Sequence, residues 1–135
     1  MIEKRHRIED ALEAVQSAQA EGIVPGGGVA LLRAMQRINI TADNDEQRIG
    51  IEILKRACVS PIMTMAKNAG ESPDVIVNMV SDAEGGVGYD FYKREMADLQ
   101  ANGVIDPAKV ARCALQNAVS VASTLITTSC GVIQK

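Results

Sequence analysis

A chain of 135 residues is long enough for one domain with a modest core and too short for two ordinary ones. Hydrophobic residues make up 47% of it but aromatics only 2%, so the core has to be built from Ala, Val, Ile, Leu and Met, whose small side chains favour close helix packing. The formal net charge of -3 argues against a nucleic-acid surface, and one histidine with three scattered cysteines supplies neither a Cys/His zinc site nor a Ser-His or Cys-His nucleophile pair.

The first expected element is a helix over about residues 2–20. Ile8, Ala11, Leu12, Val15 and Ala18 stand at helical spacing as one buried stripe, and Gly22 is placed to end it. Lys4, Arg5, His6 and Arg7, flanked by Glu3, Glu9 and Asp10, read as a solvated helix face. Asp10 sits mid-helix, where aspartate is a mediocre helix former, and taken alone it is a solvated acid. The N-terminus lacks the apolar segment of a signal peptide, and no apolar run reaches the roughly 18 residues needed to span a membrane. The expectation is therefore a soluble protein, with Cys58, Cys113 and Cys130 reduced in the core as in a cytosolic compartment.

GIVPGGGVALL, residues 22–32, opens a second helix that runs to about Ile38. Three glycines before a helix leave backbone N–H groups uncovered, so a ligand can approach them; the same glycines also suit a turn where helices pack tightly. No Gly-Lys-Ser/Thr follows, so this is not a Walker A loop. Residues 39–44 form a polar loop, and Asn44 with Gln47 resembles a capping box for a third helix through Ile49, Ile53, Leu54 and Ala57. Pro61 is expected to break or kink that helix, which resumes through Met63, Met65 and Ala66 and stops at Gly70.

Ser72, Pro73 and Asp74 carry the cap, first-turn proline and first-turn acid of a helix start, followed by Val75, Ile76, Met79 and Val80. EGGVGYDFY, residues 84–92, breaks the helical pattern; its alternating Val87, Tyr89 and Phe91 predict a strand, half of a hairpin, with Asp90 as a turn aspartate. Asp106 before Pro107 reads as the cap of the last long helix, whose buried face is marked by Val110, Ala114, Ala118, Val121 and Leu125. The β-branched end, TLITTSCGVI, is expected to finish as a strand. The predicted fold class is mainly α, a helical bundle with a small β-hairpin and a C-terminal strand.

The order of these pieces carries a resemblance. RIEDALEAVQSAQAEGIVPGGGVALL (residues 7–32), GYD (88–90) and GVIDPAKVARCALQNAVSVASTLITT (103–128) resemble GroEL-type group I chaperonins in motif order and spacing over essentially the whole chain. The resemblance implies a C-terminal fragment of a longer subunit: residues 1–21 as the returning helix of the intermediate domain, and residues 22–135 as the C-terminal half of the equatorial ATPase domain. By the same resemblance, Gly26, Gly27 and Gly28 line the pocket for ATP or ADP, with Gly27 nearest the ribose. Asp106 accepts from the ribose hydroxyls while also capping the last helix, Val104 touches the adenine, and Asp90 accepts from the adenine amino group. Asp10 matches the catalytic aspartate that orients the attacking water. Mg2+ would be held mainly by an acidic, threonine-rich loop outside these residues. Phe91 and Tyr92 depart from the small residues usual in the family, leaving Phe91 to crowd the base, stack on it or turn into the core.

The implied parent is a folding ATPase of seven-subunit rings stacked back to back. Its co-chaperonin and unfolded clients would bind an apical domain not present here, in a bacterial cytoplasm or a eukaryotic organelle matrix, with no nucleic-acid or membrane partner. Two other readings stand beside it. One is an inert helical module for ring contacts, its final strand (residues 127–133) pairing with a neighbouring subunit; the other is a free-standing small NTPase, for which the lysine-bearing phosphate loop is missing.

Overall fold

The computed structural model describes residues 2–132. In chain order the elements are α1 (Ile2–Glu21), β1 (Ile23–Pro25), α2 (Val29–Arg37), α3 (Asp45–Asn68), α4 (Pro73–Asp82), β2 (Val87–Asp90), β3 (Glu95–Asp98), β4 (Ile105–Pro107) and α5 (Ala108–Thr127). The mainly helical class is as expected. They divide into two compact units, one of Met1–Gly22 with Pro107–Lys135 and one of Ile23–Asp106.

In the first unit α1 packs on α5. Gly22, at φ +82°, ends α1 and donates to the Ala18 carbonyl at 2.7 Å. The Gly22 carbonyl then accepts from Ala108 N at 3.1 Å, so the end of α1 and the start of α5 are joined through the backbone. Arg112 reinforces the joint by donating from both Nε and Nη2 to the Glu21 carboxylate, which holds the Glu21 carboxyl below its ordinary range. The basic cluster behaves as a solvated face, with Arg5 paired to Glu9 at 2.8 Å and Arg7 to Glu3 at 3.0 Å.

The two stripes expected to be buried in this unit are not. Leu12 is 58% exposed on α1, and Leu125 is 69% exposed on α5, together with Ile8, Val15, Val110 and Val121. The partly covered positions are Ala14, Ser17 and Ala18 on α1 and Ala111, Cys113 and Leu115 on α5. The helical period was correct; these residues offer the stripes nothing to bury against, because burial needs a second apolar face and the period reports only the first. Cys58 is buried, and burial pushes its thiol up, whereas Cys113 is half-buried and Cys130 exposed, so the core placement holds for one cysteine only.

The core lies in the second unit and consists of Val29, Leu32, Ile62, Ala66, Ile76, Val80, Tyr89 and Leu99. Each helix contributes residues three or four apart, so one face of α2, of the second half of α3 and of α4 closes on the β2–β3 hairpin. Asn44 caps α3 by accepting from Gln47 N at 2.8 Å; in return Gln47 Oε1 accepts from Asp43 N at 2.9 Å, one residue earlier than in a strict capping box. Pro61 does not break α3, which is continuous across it. A mid-helix proline costs about 3 kcal/mol, but Ile62 and Ala66 just beyond it are fully buried, and a buried isoleucine alone contributes roughly 1.5–3 kcal/mol. The helix ends at Gly70 (φ +76°), where Glu71 N bonds Ala66 O and Gly70 N bonds Lys67 O, the two bonds of a Schellman motif.

The expected hairpin is present: β2 and β3 run antiparallel with Val87 opposite Asp98 and Asp90 opposite Glu95. Phe91 takes the third of its open placements, packing against the core with its ring edge-on to Tyr89 at 5.1 Å. Tyr92 is fully solvated. No C-terminal strand forms among the described residues: α5 continues through Thr127, and residues 128–132 are irregular, while Ile133 lies outside the described residues. Within the helical part of the β-branched run the hydroxyls bond back to the preceding turn, Thr124 to Ser120 O at 3.0 Å and Thr127 to Ser123 O at 2.8 Å.

Candidate functional site

Six of the seven candidate residues, Gly26, Gly27, Gly28, Asp90, Val104 and Asp106, fall in the second unit; Asp10 belongs to the first, exposed on α1. The glycine turn folds because Gly27 and Gly28 both take positive φ (+65° and +75°), and Val29 N closes it onto Gly26 O at 3.2 Å. Each glycine also faces a different neighbour. A Cβ on Gly26 would lie 3.1 Å from Val104 O, one on Gly27 3.3 Å from Leu99 Cδ1 and 3.6 Å from Tyr89 O, and one on Gly28 3.0 Å from Ile62 N. Bulk at Gly27 would thus press on Leu99 of this chain. What the turn leaves available is backbone: among the described residues, no backbone carbonyl accepts from Gly27 N or Gly28 N.

The same packing gathers the other candidates. β1 pairs with β4, and Gly26 N donates to Val104 O at 2.9 Å, so the turn lies directly against residues 104–106. Val104 has both its backbone groups occupied, its N–H by Leu99 O at 2.8 Å, while its side chain stays partly exposed. A Cβ on Gly27 would reach the backbone of Tyr89, and Asp90 is next in line on β2.

The two acids are committed very differently. Asp90 is buried, and its Oδ1 accepts from Tyr92 N at 2.9 Å and Lys93 N at 3.1 Å, fixing the hairpin turn at residues 91–94. This is the turn role its neighbours suggested, and it occupies one of the two carboxylate oxygens. Asp106 does not cap α5 as expected. It is drawn into β4, Pro107 becomes the N-cap residue with no side-chain cap, and the Ala108 N–H is met by Gly22 O instead. Asp106 is left an exposed acceptor whose carboxyl is nevertheless desolvated enough to be pushed above its ordinary value.

That shift has a sign that can be measured. The folded state holds the Asp106 proton more tightly than the unfolded chain, so stability falls as pH rises through the raised pKa. Asp106→Asn should leave urea midpoints unchanged at acid pH and raise them slightly at neutral pH. A fall at neutral pH would mean that the carboxylate is paired.

Two residues that matter here escaped the sequence. Leu99 is fully buried and wedged against Gly27 and Gly88, yet it stands between Asp98 and Gln100 with no period to mark it. Arg33 sits one turn beyond Val29 on α2 and bonds α4 and β2; its signal was a charge on the apolar face of a helix otherwise reading VALLRAM.

Known proteins bear on this arrangement. The model of the TCP-1/cpn60 chaperonin family matches residues 1–135. A solved structure, the crystal structure of a group III chaperonin in the open state, is similar to this chain with a TM-score of 0.75 and 26% sequence identity, covering 86% of this chain and 25% of that one. The chain thus spans about a quarter of the length of that chaperonin.

Proposed function

Because the chain belongs to the TCP-1/cpn60 chaperonin family, we propose that it is the nucleotide-facing C-terminal part of a GroEL-type group I subunit that couples ATP hydrolysis to protein folding. The observation that carries the reading is the convergence, within one compact unit, of a glycine turn whose Gly27 and Gly28 N–H groups meet no backbone acceptor among the described residues, a partly exposed Val104 and an Asp106 carboxylate that caps no helix.

These residues fit a nucleoside. Asp106 accepts from ribose hydroxyls, Val104 offers an apolar contact to the base, and the Gly27 and Gly28 N–H groups face the electron-rich side of the ligand. Asp90, with one oxygen held by its turn, has the other for the adenine amino group. Asp10 orients the water that attacks the γ-phosphate, and because it stands on a helix of the other unit, binding and hydrolysis are separable. The supply of Mg2+ ligands, the seven-subunit double ring, the co-chaperonin and client contacts, and a bacterial cytoplasmic or organellar setting belong to the same proposal and rest on the sequence resemblance.

Titration calorimetry tests it. The 135-residue chain alone should show no micromolar binding of ATP with magnesium, while a full-length subunit carrying it should bind, and Asp106→Ala there should weaken binding roughly tenfold or more, the cost of an unmet charged hydrogen bond. Unchanged affinity in that variant would remove Asp106 from the pocket. A second reading, a helical module serving subunit contacts, is favoured by the bare stripes of α1 and α5. Absence of nucleotide binding even by the full-length subunit would select it.

A further inference from the structure

The Arg33 guanidinium lies where three elements meet. Nη1 donates to Gln36 Oε1 at 3.2 Å and to Ser81 O at 3.4 Å, and Nη2 donates to Val87 O at 3.3 Å. Ser81 O belongs to the last turn of α4, a helix with no basic residue of its own there, so Arg33, helped by Gln36 Nε2 at 3.3 Å, serves the exposed carbonyl end from another helix. Val87 opens β2. Leu99 N bonds Gly86 O, and with Val87 opposite Asp98 the ladder alternates so that the Val87 carbonyl points away from β3, leaving it for Arg33.

The contact one turn earlier is as close. Val29 and Arg33 share a face of α2, and Gly88 lies so near Val29 that a Cβ on it would sit 2.5 Å from Val29 Cγ2. Val29 therefore sets how near β2 comes to α2, and Arg33 sets where along α2 it starts. Packing alone does not hold this junction: two surface depressions, of about 420 and 410 Å³, flank it and are both lined by Arg33, Arg37 and Gly85.

We propose, resting on the nucleotide reading above, that Arg33 is a positioning residue for that site: by tying α2 to the end of α4 and the start of β2, it fixes the spacing between the glycine turn and the strand that carries Asp90. Its guanidinium is occupied by Gln36, Ser81 and Val87 and by no residue of that site. Its Nε is buried without a hydrogen-bond partner. Arg33→Met keeps the aliphatic stem and deletes the unmet Nε donor, but leaves Val87 O without its donor and Ser81 O with Gln36 Nε2 alone, so the loss falls on the end of α4 and the start of β2 that the tether joins.

The test compares Arg33→Met and Arg33→Lys. In the 135-residue chain, amide exchange at Gly88 and Asp90 should speed up by about tenfold or more in Arg33→Met while α3 core amides keep their protection. Lysine, which still reaches one of the two carbonyls, should restore part of it. In a full-length subunit, Arg33→Met should raise the Kd for ATP by about tenfold with turnover at saturating ATP unchanged. Equal loss of protection across the whole unit, or an unchanged Kd beside normal wild-type binding, overturns the proposal. Failure of the wild-type subunit to bind ATP overturns instead the nucleotide reading beneath it.

Discussion

Replacing Asp10 by alanine in a full-length subunit is expected to lower ATP turnover by roughly 10²–10⁴-fold, the usual contribution of one positioned acid–base group, while leaving nucleotide affinity near wild type. The division follows from where the residue stands. Asp10 is exposed on α1 and, among the described residues, has no ion pair; the nearest arginines in sequence are taken by Glu3 and Glu9. Its removal therefore costs the fold little, and any effect on rate is chemical. The six residues proposed for binding all fall in the second unit, so binding has no reason to fail with it. Single-turnover hydrolysis and equilibrium binding on the same preparation separate the two, and parallel losses in both would deny Asp10 the role assigned to it.

The largest effect on stability is expected at Gly88. A Cβ there would lie 2.5 Å from Val29 Cγ2 and 2.7 Å from Leu99 Cδ1, and neither neighbour has room to retreat, since both are fully buried. Overpacking of this kind costs about 1–3 kcal/mol and occasionally more, so Gly88→Ala should fall at or above the top of that range. Leu99→Ala opens the space from the other side, and the double variant should be more stable than the sum of the two losses predicts, as expected of residues in contact. Denaturant unfolding of the four proteins measures this. A Gly88→Ala variant as stable as wild type would show that β2 does not rest on α2 as closely as described.

Where the sequence was informative, local chemistry was sufficient. The Asn44 cap, the glycine stop at Gly70 and the proline start at Pro73 depend on neighbours a few residues away, and all three stand where they were expected. The hairpin followed from alternation in VGYDF. The misses come from partners distant in sequence or outside the chain. Asp106 reads as a cap because aspartate before proline usually is one; β1 pulled it into a strand, and nothing near Asp106 announced that pairing. The stripes of α1 and α5 have the right period and no cover, because periodicity shows which face is apolar and not whether anything lies on it. Pro61 was outweighed by Ile62 and Ala66, whose burial only the tertiary fold supplies. The glycine turn was read either as a ligand approach or as a turn where helices pack tightly, and what a Cβ on each glycine would meet, Val104, Leu99 and Ile62, again came from residues distant in sequence. A side chain at any of these positions would meet this chain's own atoms, and Gly27 and Gly28 also need positive φ.

The most direct measurement is the structure of a full-length subunit carrying this sequence, bound to a non-hydrolysable ATP analogue. The ribose hydroxyls should lie within hydrogen-bond distance of the Asp106 carboxylate, with the sugar over the Gly27 N–H and the base against Val104. An analogue bound elsewhere, with Asp106 facing bulk water and the glycine turn in contact with protein alone, would contradict the account and leave the turn as a packing device.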